Sequence, residues 1–265
     1  MTDSHTVEPQ DLWPASAGQG FLAVLDHLRT WERFDGPVRA RIESDGGLTA
    51  YTAAAVSIEY GLMQSLPWKG GFDRFRTVAE LVNRAADGLD VSASLSSKCA
   101  VVTGLATQIH EKADGGSRPY SAASKLFWFV SPHHWTMFDQ HAFRAIYRPD
   151  HGREHDFPDF YKALDRLGFC SAADGLDEIA RSLGMTAHGT RILDKLLMLR
   201  GTTGIERFEG FGAGVQRESA AFIRTMSPAT IDAAMELGRT ADSWITSPDK
   251  RVSLRKRKLM PPEAA

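Results

Sequence analysis

Lys125 and Asp139 are the two residues near the middle of the chain whose types and spacing suit chemistry. Lys125 lies in Pro119-Tyr-Ser-Ala-Ala-Ser-Lys-Leu-Phe-Trp-Phe-Val-Ser-Pro132, and Asp139 in His133-His-Trp-Thr-Met-Phe-Asp-Gln-His-Ala-Phe-Arg-Ala-Ile146. An aspartate at the start of a helix stays ionised, because the free amide N–H groups and the dipole favour an anion. A lysine against aromatic side chains and beside such a carboxylate suits amine nucleophile chemistry. The amine attacks an electrophilic carbon, and the fixed carboxylate accepts a proton or stabilises the developing cation.

The elements that would position this pair can be read locally. Ala122, Leu126, Phe129 and Val130 recur at the i, i+4, i+7, i+8 spacing of one helix face, which leaves Lys125 beside the apolar stripe. Pro132 pushes Ser131 out of helical geometry and ends the helix. Asp139 then stands at an N-cap position, ahead of Ala142, Phe143 and Ile146. From Lys125 to Pro132 a helix advances about 10 Å, and residues 133 to 138, if extended, reach back as far as about 20 Å. The two side chains can therefore meet.

Beyond this segment, three- and four-residue apolar spacings predominate and alternating β-branched runs are few, which predicts an all-α fold of about ten helices in two lobes. Residues 1–18 read as a polar tail, 19–245 as the helical domain centred on 119–147, and 246–265 as a basic, flexible tail. The first helix is expected to end near Asp35-Gly36-Pro37, with a weak strand in 38 to 46. Helices are expected from Leu48 to Leu66, Phe72 to Ala86, Ser92 to Lys112, Phe157 to Phe169, Leu176 to Leu183, Thr190 to Arg200, Val215 to Met226 and Ile231 to Ile245. Phe208 to Gly214 (FEGFGAG) has neither a lysine nor a preceding strand, so it reads as an interhelical loop and not as a phosphate cradle.

A hydrophobic content of 43% supports a sizeable core, and no apolar run nears the roughly 20 residues of a membrane span. Met1 to Gln10 is polar with no basic or apolar segment, so no secretory signal and a cytoplasmic location are expected. Cys99 and Cys170 fit buried free thiols in a reducing compartment. Lys250 to Lys258 holds six of the 31 basic residues, leaving 25 against 33 acidic ones, so the body is acidic by 8 charges. Such a tail can contact phosphates or an acidic protein. His133, His134, Asp139 and His141 lack an i, i+4 pair, and adjacent histidines are expected to diverge, so neither a metal nor another cofactor is expected. Trp68, in its Pro-Trp-Lys-Gly-Gly turn, is a candidate wedge for a base stack, with packing on its own domain the plainer reading. Tyr120, Phe127, Phe129 and Phe138 read as core.

A small-residue turn, a lysine one turn into an apolar helix, and an aspartate opening the next helix as Asp139-Gln140-His141 resemble the active-site region of the helix-hairpin-helix DNA glycosylases, especially the 8-oxoguanine branch. The resemblance covers about thirty residues. It implies that Lys125 attacks the sugar C1′ of a flipped-out modified nucleotide, that Asp139 activates it, and that the resulting Schiff base can support AP lyase activity. DNA is the partner implied. The resemblance places Ser121, Ala123, Ser124 and His141 at the nucleic-acid backbone, with Ser121 and Ala123 standing where the family prefers glycines. A helical interaction or regulatory module without catalysis, binding nucleic acid or a protein, is the alternative. It would bury or separate Lys125 and Asp139.

Overall fold

The computed structural model describes residues 18–66, 71–90, 92–112, 117–147, 156–202 and 209–246. These residues form helices and turns with no strand, so the fold is all-α. In chain order the α-helices are α1 (Gln19–Thr30), α2 (Gly36–Asp45), α3 (Ala50–Glu59), α4 (Asp73–Asp87), α5 (Leu95–Glu111), α6 (Tyr120–Val130), α7 (Gln140–Ile146), α8 (Asp156–Arg166), α9 (Phe169–Ser182), α10 (Gly189–Thr202), α11 (Glu209–Ile223) and α12 (Pro228–Thr246). No helix among the described residues is long and apolar enough to cross a membrane.

The first helix departs from expectation. Asp35-Gly36-Pro37 does not end it; a π-helical stretch, Trp31–Asp35, carries α1 directly into α2. The Gly36 N–H reaches back to the Trp31 carbonyl, and Pro37, which has no N–H to extend the ladder, falls just past this turn at the start of α2. Gly36 suits this wide turn because a Cβ there would lie 2.8 Å from the Trp31 carbonyl oxygen and 3.0 Å from its indole nitrogen. Residues 38 to 45 are accordingly helix and not strand.

Other boundaries shift for local reasons. α3 starts at Ala50, where Thr49 and Thr52 cap one another's backbone N–H groups, and it stops at Glu59, short of Leu66. The Asn83 side chain both accepts from the Leu48 N–H (2.8 Å) and donates to the Leu48 carbonyl (2.9 Å), tying the start of α3 to α4. The helix expected from Phe157 to Phe169 breaks after Arg166, and α9 begins at Phe169. Most of the glycine-rich stretch expected as a loop, from Glu209 onward, is helical. Glycine costs about 1 kcal/mol per helical position, and packing of α11 against α1 and α10 offsets it.

α10 is the central element, packed against α1, α7, α9, α11 and α12, while α6 packs against α2, α3, α4 and α5. One continuous hydrophobic core joins both sets. α6 and α7 thus belong to different sets, and the loop between them crosses the boundary. That loop carries the candidate chemistry.

Candidate functional site

Of the apolar face predicted for α6, Ala122, Leu126 and Phe129 are at 1% exposure or less and Val130 is half-buried, and Phe127 and Trp128 are covered as well. Tyr120 and Phe138 are half-buried against this core, Tyr120 stacking on Phe157 at 4.8 Å. Lys125 leaves the apolar face, and its side chain keeps 13% exposure.

Residues 131 to 139 return along α6 because both edges are tied. The Ser131 N–H bonds the Phe127 carbonyl (2.9 Å), closing the helix. The Ser124 hydroxyl accepts the Phe138 N–H (2.9 Å) and donates to the Ser121 carbonyl (3.0 Å). The Ser121 hydroxyl donates to the Phe138 carbonyl (3.1 Å), and the Trp135 indole N–H to the Ser124 carbonyl (3.1 Å). Two serines therefore clip Phe138, one residue before Asp139, onto the helix that bears Lys125.

The consequence is contact. Lys125 Nζ lies 3.2 Å from Asp139 Oδ2, and the other carboxylate oxygen accepts the His141 N–H at 2.8 Å, the N-cap bond of α7. Burial opposes ionisation of Asp139, but the Lys125 charge, the His141 amide and the His141 ring together hold its carboxyl below the usual aspartate range. α7 is fixed in turn by α10. A Cβ at Gly201 would lie 1.7 Å from the His141 carbonyl oxygen, so only glycine permits this approach.

The four residues expected at a nucleic-acid backbone divide. Ala123 and Ser124 are fully buried, and the Ser124 hydroxyl is taken up by the Ser121 carbonyl and the Phe138 N–H. Ser121 and His141 are half-buried at the edges of α6 and α7. The expected divergence of His133 and His134 is corrected. Their ring centroids lie 3.9 Å apart. Trp68 and the basic residues 250–258 fall outside the described residues.

Behind the pair lies a cluster that motif reading missed. Arg191 and Asp194 on α10 and Asp35 at the π turn all have side chains only 1% exposed. Arg191 donates to Asp194, to Asp35 (3.2 Å) and to the Tyr60 hydroxyl (2.9 Å), while Tyr60 donates to Asp35 (2.6 Å). Its guanidinium also sits 5.0 Å from the Trp128 ring centroid. Burial works against the Arg191 charge, yet Tyr60, Asp35 and Asp194 more than offset it. For Asp194, burial wins and pushes the carboxyl up, helped by the nearby Asp139 charge and opposed by Arg191 and Lys195.

The cluster grips the same loop. The Thr136 hydroxyl donates to Asp194 (3.1 Å), the Thr136 carbonyl accepts from Tyr161 (2.9 Å), and Arg191 reaches the Met137 sulfur (3.5 Å). The only local sequence signal for it is the Arg191–Asp194 i, i+3 pair. Asp35 and Tyr60 lie 156 and 131 residues from Arg191, too far for any spacing rule.

No family model, curated protein or solved structure matches this chain. The functional reading thus rests on the site. A shallow open groove lined by Arg41, Asp45, Thr49, Tyr51, Thr52 and Ala55 shares no residue with it. Chemically, the site offers a primary amine with residual solvent access, an ionised carboxylate fixed by a helix cap, and a loop braced so that neither drifts.

Proposed function

We propose that the protein is a DNA glycosylase-like enzyme that excises a modified base, with Lys125 as nucleophile and Asp139 as its activator, and that the same lysine supports AP lyase chemistry. The observation that carries this reading is the 3.2 Å approach of Lys125 Nζ to a carboxylate held by the first turn of α7. The target nucleotide must leave the stack to expose its C1′. Asp139 takes a proton from the Lys125 ammonium, and the free amine attacks C1′. The glycosidic C1′–N bond breaks, and the base leaves with its electron pair and takes up the proton held by Asp139. The C1′–O4′ bond then breaks, O4′ takes a proton from the new secondary ammonium, and a protonated C1′=N Schiff base remains. Loss of a C2′ proton then expels the 3′ phosphate, and water hydrolyses the imine and frees Lys125. Asp139 supplies the proton acceptor and a counter-charge to the cationic intermediates.

The test is base release and strand cleavage on duplex and single-stranded oligonucleotides carrying 8-oxoguanine, other modified bases or an abasic site. Cleavage of at least one substrate is expected, abolished in Lys125→Ala and reduced roughly 100-fold in Asp139→Asn. Failure of folded wild-type protein on the whole panel removes the lyase reading.

A second reading draws on the partial burial of the pair, 13% and 19% exposed. In it the chain is a helical interaction module and the ion pair only braces α6 against α7. Nucleic-acid or protein binding that requires residues 250–258 and persists in Lys125→Ala would then be the result.

A further inference from the structure

The start of the same loop holds a convergence of ligands outside the chemistry above. His133, His134 and Asp174 each present one ligand atom, and the three atoms lie within 4.8 Å of one another. His134 Nε2 is 2.7 Å from Asp174 Oδ1, a carboxylate on α9. We propose that these three side chains form a site for a divalent first-row transition-metal cation of the Zn²⁺ class, with water completing the coordination.

Backbone, anchoring and donor chemistry support this. His134 adopts φ 48°, alone in the left-handed region among the described non-glycine residues. It is the third residue of a turn closed by the Trp135 N–H on the Pro132 carbonyl (3.2 Å), a place where glycine or asparagine fits without strain. A histidine there lands its ring on Asp174 and beside His133, and strained backbone of this kind concentrates at ligand sites. The ligands are also held on both flanks. Buried Lys98 donates to the His133 carbonyl, and Trp135 is fully buried, stacked at 4.2 Å on Tyr161. Such anchoring preorganises a coordination shell.

The donor set selects the ion. Two imidazole nitrogens and one carboxylate oxygen suit Zn²⁺, Ni²⁺ or Cu²⁺, whereas Mg²⁺ and Ca²⁺ require oxygen shells. Three protein ligands leave a position for water. The metal would fasten residues 133 and 134 to α9, and so clamp the loop whose far end carries Asp139.

The experiment uses the full chain loaded with Zn²⁺, freed of excess and analysed for bound metal. Thermal melts are run in parallel with and without Zn²⁺, and the visible spectrum is recorded on the Co²⁺ form. Wild type is expected to hold one equivalent, to melt higher with metal, and to give the intense visible bands of four-coordinate Co²⁺. Asp174→Asn, at a side chain 56% exposed, and His134→Asn, which tolerates the turn, should each weaken binding at least about 10-fold. Asp174→Asn should also melt like wild type when metal-free, which separates lost ligation from lost folding. Wild type without stoichiometric metal, or equal retention of metal by Asp174→Asn, overturns the site.

Discussion

Lys125–Asp139 and Arg191–Asp194 are two ion pairs braced on one loop, and they differ in their access to water. Thr136 bonds Asp194 only three residues before Asp139, yet the first pair keeps 13% and 19% exposure and the second 1% on each side. A guanidinium stays charged under any physiological condition, while a lysine amine can give up its proton and attack. The sealed pair, locked by Asp35, Tyr60 and Trp128, is built to hold a shape. The half-open pair has the one cation of the two that can react.

Breaking the sealed pair should have the largest effect. Arg191→Met leaves Asp35 and Asp194 buried without their cation and is expected to cost about 3 to 5 kcal/mol, measured by chemical denaturation. A loss below about 1 kcal/mol would mean the cluster is not the brace described.

The pH dependence of the same interior comes next. Burial, with the His188, Arg191 and Lys195 charges, holds buried His27 well below the usual histidine range, and its Nε2 accepts the His188 N–H at 3.0 Å. The unfolded chain then binds a proton first as pH falls, so stability should be level above about pH 6.5 and decline below it. The limiting slope is about 1.4 kcal/mol per pH unit for this one proton. Thermal melts between pH 5 and 8 should show the decline, and His27→Gln, which retains an acceptor, should reduce it, leaving the part due to His188, which burial also holds below the usual histidine range.

At the half-open pair the effects on stability should be smaller. Asp139→Asn keeps a cap for the His141 N–H but removes the charge, and about 1 kcal/mol or less is expected at neutral pH. Because the folded-state value of Asp139 is depressed, its contribution is complete above about pH 4 and is lost as pH falls through that lower value. Wild type and Asp139→Asn should therefore converge in acid. Lys125→Met should change stability by about 0.5 kcal/mol or less, since partly exposed ion pairs contribute little. A large loss there would favour the bracing role over the catalytic one.

The half-open pair was legible in the sequence and the sealed cluster was not, for a physical reason. Asp139 as an N-cap, Pro132 as a helix stop and the reach of six intervening residues are local constraints, and together they bring Lys125 and Asp139 into contact. The cluster gathers residues from the π turn, the end of α3 and α10, which only tertiary packing brings together. Local punctuation also misled where packing overrode it. Gly36-Pro37 reads as a stop, but a π turn absorbs it, and the glycines of α11 read as a loop, but the helix persists against α1 and α10. Ser121 and Ser124 also serve as the clips that hold Phe138, a role set by where the returning loop lies and not by their spacing in the sequence.

The most direct test of the central claim is borohydride trapping on an abasic-site duplex, followed by mass-spectrometric mapping of the modified lysine. A covalent adduct on Lys125, absent from Lys125→Ala and much reduced in Asp139→Asn, is the predicted result. An adduct on another lysine, or none with folded protein, would contradict it.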